Sequence, residues 1–561
     1  MAGSDWDHEF DVVVVGSGTG LMGAITAARD GLKVLVVEKG ATLGGSTAMS
    51  GGGMWMPGNK VITRTGVVDS RRRAETYLDE VVGDTAPRAR RLAFLDHAPG
   101  VVDAILRHTP LRLTHMREYA DYFSETEGGS AIGRSVEPMP FDVNSLGADA
   151  ALLRKGPLEA PVPMPITSQD FKWMNLMRKK PGKAFSRIGK RVAQGVGGKV
   201  LMHKDLVAGG AALAAGLIAG ARRAGVELWT GSPIADLVIA DGAVTGVVVR
   251  RGDEEVRVKA RGGVILATGG FDHDMAARRR YQSEALTDDW GFGNPDNTGD
   301  VIAVAQRAGA GLGLMDQAWW FPAIPPLAPG QPPMVLLAER SLPGSMIVDA
   351  TGHRFFNESC DYMTAGQIML GLDDGQPPHL PAWLIFDQRF RNSYVFAAVI
   401  MPGMALPQAF YDAGVAHRAE TVEALATKIG VPGLPEGLAR FNLLAGQGHD
   451  DDFNRGLAHY DRYYGDPTHT PNPNLRPISR PPYYAVKVVP GDLGTCGGIV
   501  ADERARALRP DGTVIPGLYA TGNCAANAFG KSYPGPGATI GQGVTFAHIA
   551  AKDIVAARKQ G

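Results

Sequence analysis

Tyr533 and Gly537 are the residues whose types and spacing first suggest chemistry. They stand four apart in Ser532-Tyr533-Pro534-Gly535-Pro536-Gly537-Ala538-Thr539-Ile540-Gly541. A phenol and a backbone N–H presented side by side offer two donors to one oxygen, the makings of an oxyanion hole. Pro534 to Gly537 forbids both a regular helix and a ladder strand. Such a loop holds one shape and leaves room for something flat against it. Upstream, Gly517-Leu518-Tyr519-Ala520-Thr521-Gly522-Asn523 reads as a short buried strand running into a turn. In isolation the same loop also reads as a Gly/Pro-rich surface turn, and the N-terminus weighs between the two.

There, Asp11-Val12-Val13-Val14-Val15 is the β-branched run of a strand buried on both faces. Gly16-Ser17-Gly18-Thr19-Gly20-Leu21-Met22-Gly23 follows, then a helix over 24–29 and a second strand over 33–37 ending in Glu38. This is a dinucleotide fingerprint. Glycines admit a pyrophosphate to the backbone, a helix N-terminus faces its charge, and an acid bonds ribose hydroxyls. Glu38 follows Gly16 by 22 positions, near the expected spacing. Leu21 occupies the third glycine position, so Gly20 or Gly23 must supply the close helix packing. The small-residue run Gly44-Gly45-Ser46-Thr47-Ala48-Met49-Ser50-Gly51-Gly52-Gly53 exceeds what a nicotinamide enzyme needs. It suits a flavin, whose ribityl chain and ring run on past the pyrophosphate. Strands over 256–258 and 263–266 lead into Ala267-Thr268-Gly269-Gly270-Phe271, a turn fit for the second face of that site.

At 561 residues two domains are expected. Hydrophobic residues are 44%, charged residues 20% and the net charge −1, which leaves no global field for nucleic acid. Cys360, Cys496 and Cys524 are isolated, with no paired framework and no metal site expected, and suit a reducing, cytoplasmic compartment. Met1 to Phe10 carries Asp5, Asp7 and Glu9 and no apolar stretch, so no signal peptide is expected.

These motifs together resemble the fumarate reductase-like flavoproteins, most closely the 3-ketosteroid Δ1-dehydrogenases. The carriers are VVVVGSG, VVEKG, GGSTAMSGGG, VILATGGF, GHRFFNES, GDLGTCGGI and GLYATGNCAANAFGKSYPGPGATIG, spread over nearly the whole chain. The resemblance implies an α/β fold: a Rossmann-type, glutathione reductase-like FAD-binding domain with an inserted α+β catalytic domain. The FAD domain is expected at 1–322 and 490–561, with a basic amphipathic insertion at about 150–205, and the catalytic domain at 323–489. Gly16, Ser17, Gly18, Gly20, Glu38 and Lys39 are expected to bind FAD from the first unit. Gly45, Ser46, Thr47, Ser50, Gly51 and Gly52 join from the small-residue run. Ala267, Thr268, Gly269, Gly522, Asn523, Ala538 and Ile540 complete the set. Gly45-Ser46-Thr47 has no neighbouring histidine of the kind that links flavin in succinate dehydrogenase-type relatives, so non-covalent FAD is implied.

Family chemistry removes a proton from C2 and a hydride from C1 of a 3-oxosteroid, the hydride passing to flavin N5. By this resemblance Tyr533 and the Gly537 N–H hold O3, Tyr362 is the C2 base and Tyr122 relays to it, with Tyr119 the neighbouring candidate. A 3-oxosteroid substrate and an electron acceptor, a quinone or another, are implied. The sibling reactions are a 3-oxo-5α-steroid Δ4-dehydrogenation and a fumarate-type enoate reduction. A phenol ionising near 10 needs about 2.7 kcal/mol of help to reach 8, at about 1.36 per unit. Trp319-Trp320-Phe321-Pro322-Ala323-Ile324-Pro325-Pro326-Leu327 reads either as the wall of a steroid slot or as a Pro-rich connection.

Phe171 to Lys204 carries ten Lys and Arg and no acid. Phe185, Ile188, Val192 and Val196 form one helical stripe with Lys183, Arg187, Lys190 and Arg191 opposite, and Phe171, Trp173, Met174, Leu176 and Met177 add exposed-looking apolar bulk. The reading is a peripheral anchor on the inner face of the cell membrane; the alternative is a solvated basic lid.

Overall fold

The computed structural model describes residues 6–156, 164–372 and 375–560. The N-terminal Met1–Asp5 and residues 157–163 of the expected insertion lie outside the described residues. A sheet of eight described strands carries the fingerprint. The first strand, His8–Val15, pairs in parallel with Val34–Val37 on one side and Glu254–Leu266 on the other. Beyond these lie Glu227–Trp229 and Val514–Ala520, also parallel. Thus the C-terminal part of the chain supplies a strand to the sheet begun by the N-terminus. The two strands expected at 256–258 and 263–266 are one, because a bulge sets Arg261 and Gly262 opposite Asp11 and the ladder resumes at Gly263.

The fingerprint helix spans Gly20–Arg29 and so starts four residues before the expected Ala24. Its glycines explain this. A Cβ at Gly20 would lie 2.8 Å from the Ala267 Cβ, and one at Gly23 2.8 Å from the Ala547 carbonyl of the C-terminal helix Ala538–Gln560. Both glycines therefore give the close packing that Leu21 cannot.

The second sheet is antiparallel and holds the strands Ala318–Ile324, Tyr483–Thr495, Ala382–Asp387 and Ser345–Val348 among its six. The segment from Trp319 is a fully buried strand rather than a connection. Ala323 and Val489, the expected limits of the inserted domain, stand opposite each other in its ladder.

The basic segment departs most from expectation. It forms two helices, Ser168–Asn175 and Pro181–Met202. Pro181 sits at the start of the second, where its missing N–H costs nothing. Arg187 and Arg191 reach inward to pair with buried Asp170 at 3.0 and 2.6 Å, Arg191 mostly buried and Arg187 still 40% exposed. Burial opposes the Asp170 charge, yet the Thr167 N–H and these two guanidinia hold its carboxyl below the usual range. The expected apolar stripe splits, with Ile188 and Val192 half-buried and Phe185 and Val196 exposed. Leu176 is buried, and Phe171, Trp173, Met174 and Met177 are half-buried, not exposed. Among the described residues no helix is long and apolar enough to cross a membrane.

Candidate active site

At the fingerprint end the backbone comes close to itself. Gly16 has φ +102°, and a Cβ there would lie 2.2 Å from the Ala267 carbonyl oxygen. Glu38 reaches back over the loop and accepts from the Ser17 N–H (3.0 Å), the Ser17 hydroxyl (2.5 Å) and the Gly40 N–H (2.9 Å). The Ser17 hydroxyl in turn accepts from the Gly44 N–H at 2.9 Å, tying the fingerprint to the small-residue run. Thr47 faces Gly18 so closely that a Cβ on that glycine would meet its Oγ1 at 3.0 Å. Gly45-Ser46-Thr47 begins a short helix, Gly45–Met49, and Ser50 caps its end by donating to the Thr47 carbonyl (2.7 Å). Ser46 accepts from the Asn294 N–H and the Asn297 amide at 3.0 and 3.1 Å. The Gly51 carbonyl accepts from Ser168, and Gly52, at φ +73°, passes against Gly209.

Lys39 faces another way. Its ammonium donates to Thr298 (2.7 Å) and the Asp296 carbonyl (3.1 Å) and pairs with Asp300, so it fastens the 296–300 loop. Ala267, Thr268 and Gly269 form the turn after the long strand, with Gly269 at φ +78° against Asn297. Gly522 and Asn523 begin a short turn, where the Asn523 side chain accepts from Trp319 Nε1 at 2.9 Å. Ala538 and Ile540 are buried in the first turn of the C-terminal helix. The arrangement fits a flavin dinucleotide: among the described residues the N–H groups of Gly18 and Thr19, at the helix N-terminus, have no acceptor, and an anion is what such a terminus binds.

The second half of the site is a cluster of buried tyrosines. The Pro534–Gly537 loop is held by its carbonyls. Pro534 accepts from the Tyr77 hydroxyl (2.6 Å) and the Tyr122 N–H (3.2 Å), Pro536 from Ser135 (2.6 Å) and Gly537 from the Trp55 N–H (3.2 Å). Gly537 has φ +86°, and a Cβ would fall 2.2 Å from Gly53. The Tyr533 hydroxyl accepts from Thr539 Oγ1 at 3.0 Å, with the Gly537 N–H close by. Because Thr539 donates inward, the Tyr533 proton is left to be donated elsewhere.

Tyr362 opens the helix Tyr362–Leu370, capped by Asp361, whose carboxylate accepts from the Thr364 N–H at 3.0 Å. Gly366 seats that helix on the buried strand, since a Cβ there would strike Trp320 at 2.2 Å. The Tyr362 ring meets Tyr533 edge-on at 5.1 Å, Tyr122 edge-on at 5.3 Å, and stacks on Phe321 at 4.5 Å. Trp319 packs edge-on against Tyr533 at 4.8 Å. Tyr122, Tyr362, Tyr533 and Gly537 therefore converge. Tyr119 lies one layer back: its ring is 6.5 Å from Tyr122, and its hydroxyl accepts from Tyr464 at 2.9 Å. Burial pushes the Tyr122 and Tyr362 phenols well up and Tyr119 to about 12. Burial also raises Tyr533, opposed by Thr539, Tyr362 and the Gly537 N–H.

Thr539, Tyr460 and Tyr464 were not singled out from sequence. The run His459-Tyr460-Asp461-Arg462-Tyr463-Tyr464 holds three of the chain's 14 tyrosines, and that density was the available signal.

The model of the family described as FAD binding domain matches residues 11–540. A 3-oxosteroid 1-dehydrogenase of Mycolicibacterium smegmatis is 46% identical over 561 residues, covering 98% of both chains. The enzyme of that name from Mycobacterium tuberculosis is 44% identical, with the same coverage. The chain belongs to the 3-oxosteroid 1-dehydrogenase family of FAD-binding flavoproteins. Among solved structures of that family, the 3-ketosteroid Δ1-dehydrogenase of Sterolibacterium denitrificans, in complex with 1,4-androstadiene-3,17-dione, has 37% identity and a TM-score of 0.91. That match covers 98% of this chain and all of the other. A Rossmann-type FAD domain, an added antiparallel region and an FAD cofactor are the family's common plan.

Proposed function

We propose that the chain is an FAD-dependent 3-oxosteroid Δ1-dehydrogenase whose acid–base work is done by Tyr362, Tyr533, the Gly537 N–H and Tyr122. The observation that carries this reading is the convergence of Tyr362 on the Tyr533–Gly537 pair, with Thr539 fixing the Tyr533 hydroxyl. Tyr533 and the Gly537 N–H donate to O3, so negative charge arriving there during C2 deprotonation is met by two preorganised donors. Tyr362 takes the C2 proton, and Tyr122 passes it on. Phe321 and Trp319 fix the two ring planes. When bound, the flavin supplies the acceptor for the C1 hydride, and an external acceptor, a quinone or another, restores it. Gly16, Ser17, Gly18, Gly20, Glu38, Gly45, Ser46, Thr47, Ser50, Gly51, Gly52, Ala267, Thr268, Gly269, Gly522, Asn523, Ala538 and Ile540 are assigned to hold it without a covalent link, and Lys39, engaged with the 296–300 loop, is left out. Residues 323–489 are the catalytic domain in this reading.

The direct test is anaerobic bleaching of the yellow protein by 4-androstene-3,17-dione, followed by multiple turnovers with an artificial acceptor. Bleaching by 5α-saturated steroids alone would replace this reading with Δ4-dehydrogenation.

A peripheral membrane contact through 171–204 is retained with a changed face. Phe185, Val200 and Leu201 are 62, 66 and 80% exposed on the helix Pro181–Met202, flanked by exposed Lys183, Lys190 and Lys199. An outward apolar strip edged by lysines suits the interface of an anionic leaflet, where each cation adds about 1 kcal/mol. Flotation with anionic liposomes should fall when Phe185, Val200 and Leu201 are replaced by Ser. Equal flotation would remove the assignment.

A further inference from the structure

Arg340 is fully buried, yet it lacks the partner that buried cations usually need. Nearby Arg354 is bidentate to both Glu358 and Asp450, and Arg455 approaches Glu358 at 3.2 Å. Arg340 instead donates one nitrogen to the carbonyls of Glu358 and Cys360, both at 2.6 Å. Its Nε and Nη2 are buried with no acceptor, and among the described residues no carboxylate oxygen pairs with it. The Tyr122 and Tyr460 hydroxyls are buried without partners in the same way.

The groups that face this cation are Tyr460, Cys360, Asp361 and Tyr122, and its field also reaches Tyr119. The tyrosines touch one another: Tyr122 lies 4.5 Å from Tyr460, and Tyr119 stacks on Tyr460 at 6.4 Å. Burial raises the Cys360 thiol and the Asp361 carboxyl, and the Arg340 charge opposes the rise at both. Asp361 is also occupied in capping the Tyr362 helix. Glu358 is already matched by two other arginines. Among the described residues Arg340 is thus a buried positive charge with no carboxylate in ion-pair contact.

We infer that Arg340 is a positioning residue whose fixed charge stabilises the anion left on the Tyr122, Tyr119 and Tyr460 hydroxyls when that cluster releases a proton. The inference rests on Tyr362 being the base. One proton first leaves the cluster for solvent. When the C2–H bond breaks, its proton goes to the cluster through the Tyr362 oxygen. The electron pair stays on the steroid as the enolate held by Tyr533 and Gly537, and the cluster is neutral again. Burial pushes these phenols upward, and the Arg340 charge opposes that push at Tyr460 and Tyr119.

The test is stopped-flow anaerobic flavin reduction from pH 6 to 10 in wild type, Arg340→Met and Arg340→Lys, with flavin content and Tm measured alongside. In Arg340→Met the midpoint of the alkaline rise should move up by about one unit or more, making reduction at pH 7 about tenfold slower or worse. Arg340→Lys, which keeps the charge and loses the fork, should stay within about half a unit of wild type. A common loss of rate in both variants with an unmoved midpoint would leave only a tie to two carbonyls and overturn the inference. If Arg340→Met does not load flavin, Arg340→Lys decides alone, and a midpoint moved by more than a unit with the charge retained contradicts it. Hydrogen exchange at C2 in Tyr362→Phe reports separately: retained exchange counts against the base assignment, an unmoved Arg340→Met midpoint against this inference.

Discussion

In the proposed cofactor cradle backbone packs closely against neighbouring segments, whereas in the tyrosine cluster side chains from remote segments meet. Gly16, Gly52 and Gly269 all have positive φ, and each would place a Cβ 2.2–2.3 Å from a neighbouring atom. Their role is written into residue type, because a side chain in those places would strike Ala267, Gly209 or Asn297. The tyrosines carry no such constraint. Tyr122, Tyr362 and Tyr533 come from three segments 240 and 171 positions apart, and what joins them is packing on the strand Ala318–Ile324 and the carbonyls of Pro534 to Gly537. One region fails by steric exclusion, all at once. The other fails by degrees, one hydrogen bond at a time.

The largest effect should come from Gly16→Ala. At φ +102° its Cβ meets the Ala267 backbone carbonyl at 2.2 Å, with no flexible end to yield. The variant should purify without yellow colour. A flavin:protein ratio near wild type would erase the contrast between the regions.

Tyr533→Phe should retain flavin and lose turnover. An oxyanion donor is worth about 2.7–4 kcal/mol, or roughly 10²–10³-fold. If more than about half of wild-type turnover persisted with chemistry rate-limiting, the O3 assignment would fail. Thr539→Val should cost less, because it removes only the bond that orients Tyr533. One such bond contributes about 0.5–1.5 kcal/mol, so reduction should slow by about 2- to 13-fold, with flavin content unchanged. A loss as large as that of Tyr533→Phe would mean that Thr539 does more than orient.

The same contrast explains what was legible beforehand. The strand, glycine turn, helix, strand and Glu38 were readable because each constraint is local. Even there Glu38 holds Ser17, and Lys39 fastens the 296–300 loop. The SYPGPGATIG loop was readable because proline and glycine fix a backbone. Arg340 was not. In Ala338-Glu339-Arg340-Ser341-Leu342 an arginine reads as solvated, and its burial depends on contacts far along the chain. The basic helix was misread in its faces for a related reason. Helical periodicity separates apolar from charged residues but does not say which side meets the protein. Asp170, one residue before the acid-free stretch, draws Arg187 and Arg191 inward and leaves Phe185 outside.

Burial raises the Tyr362 phenol, so below its titration the phenolate fraction grows about tenfold per pH unit. Flavin reduction should therefore quicken from pH 6 to 9 in wild type. The most direct test of Tyr362 as the C2 base is hydrogen exchange at that carbon in deuterated water, with Tyr362→Phe loaded with flavin and steroid. Exchange in wild type and none in the variant, with steroid still bound, is the expected result. Exchange that persists in Tyr362→Phe would show that another group removes the proton.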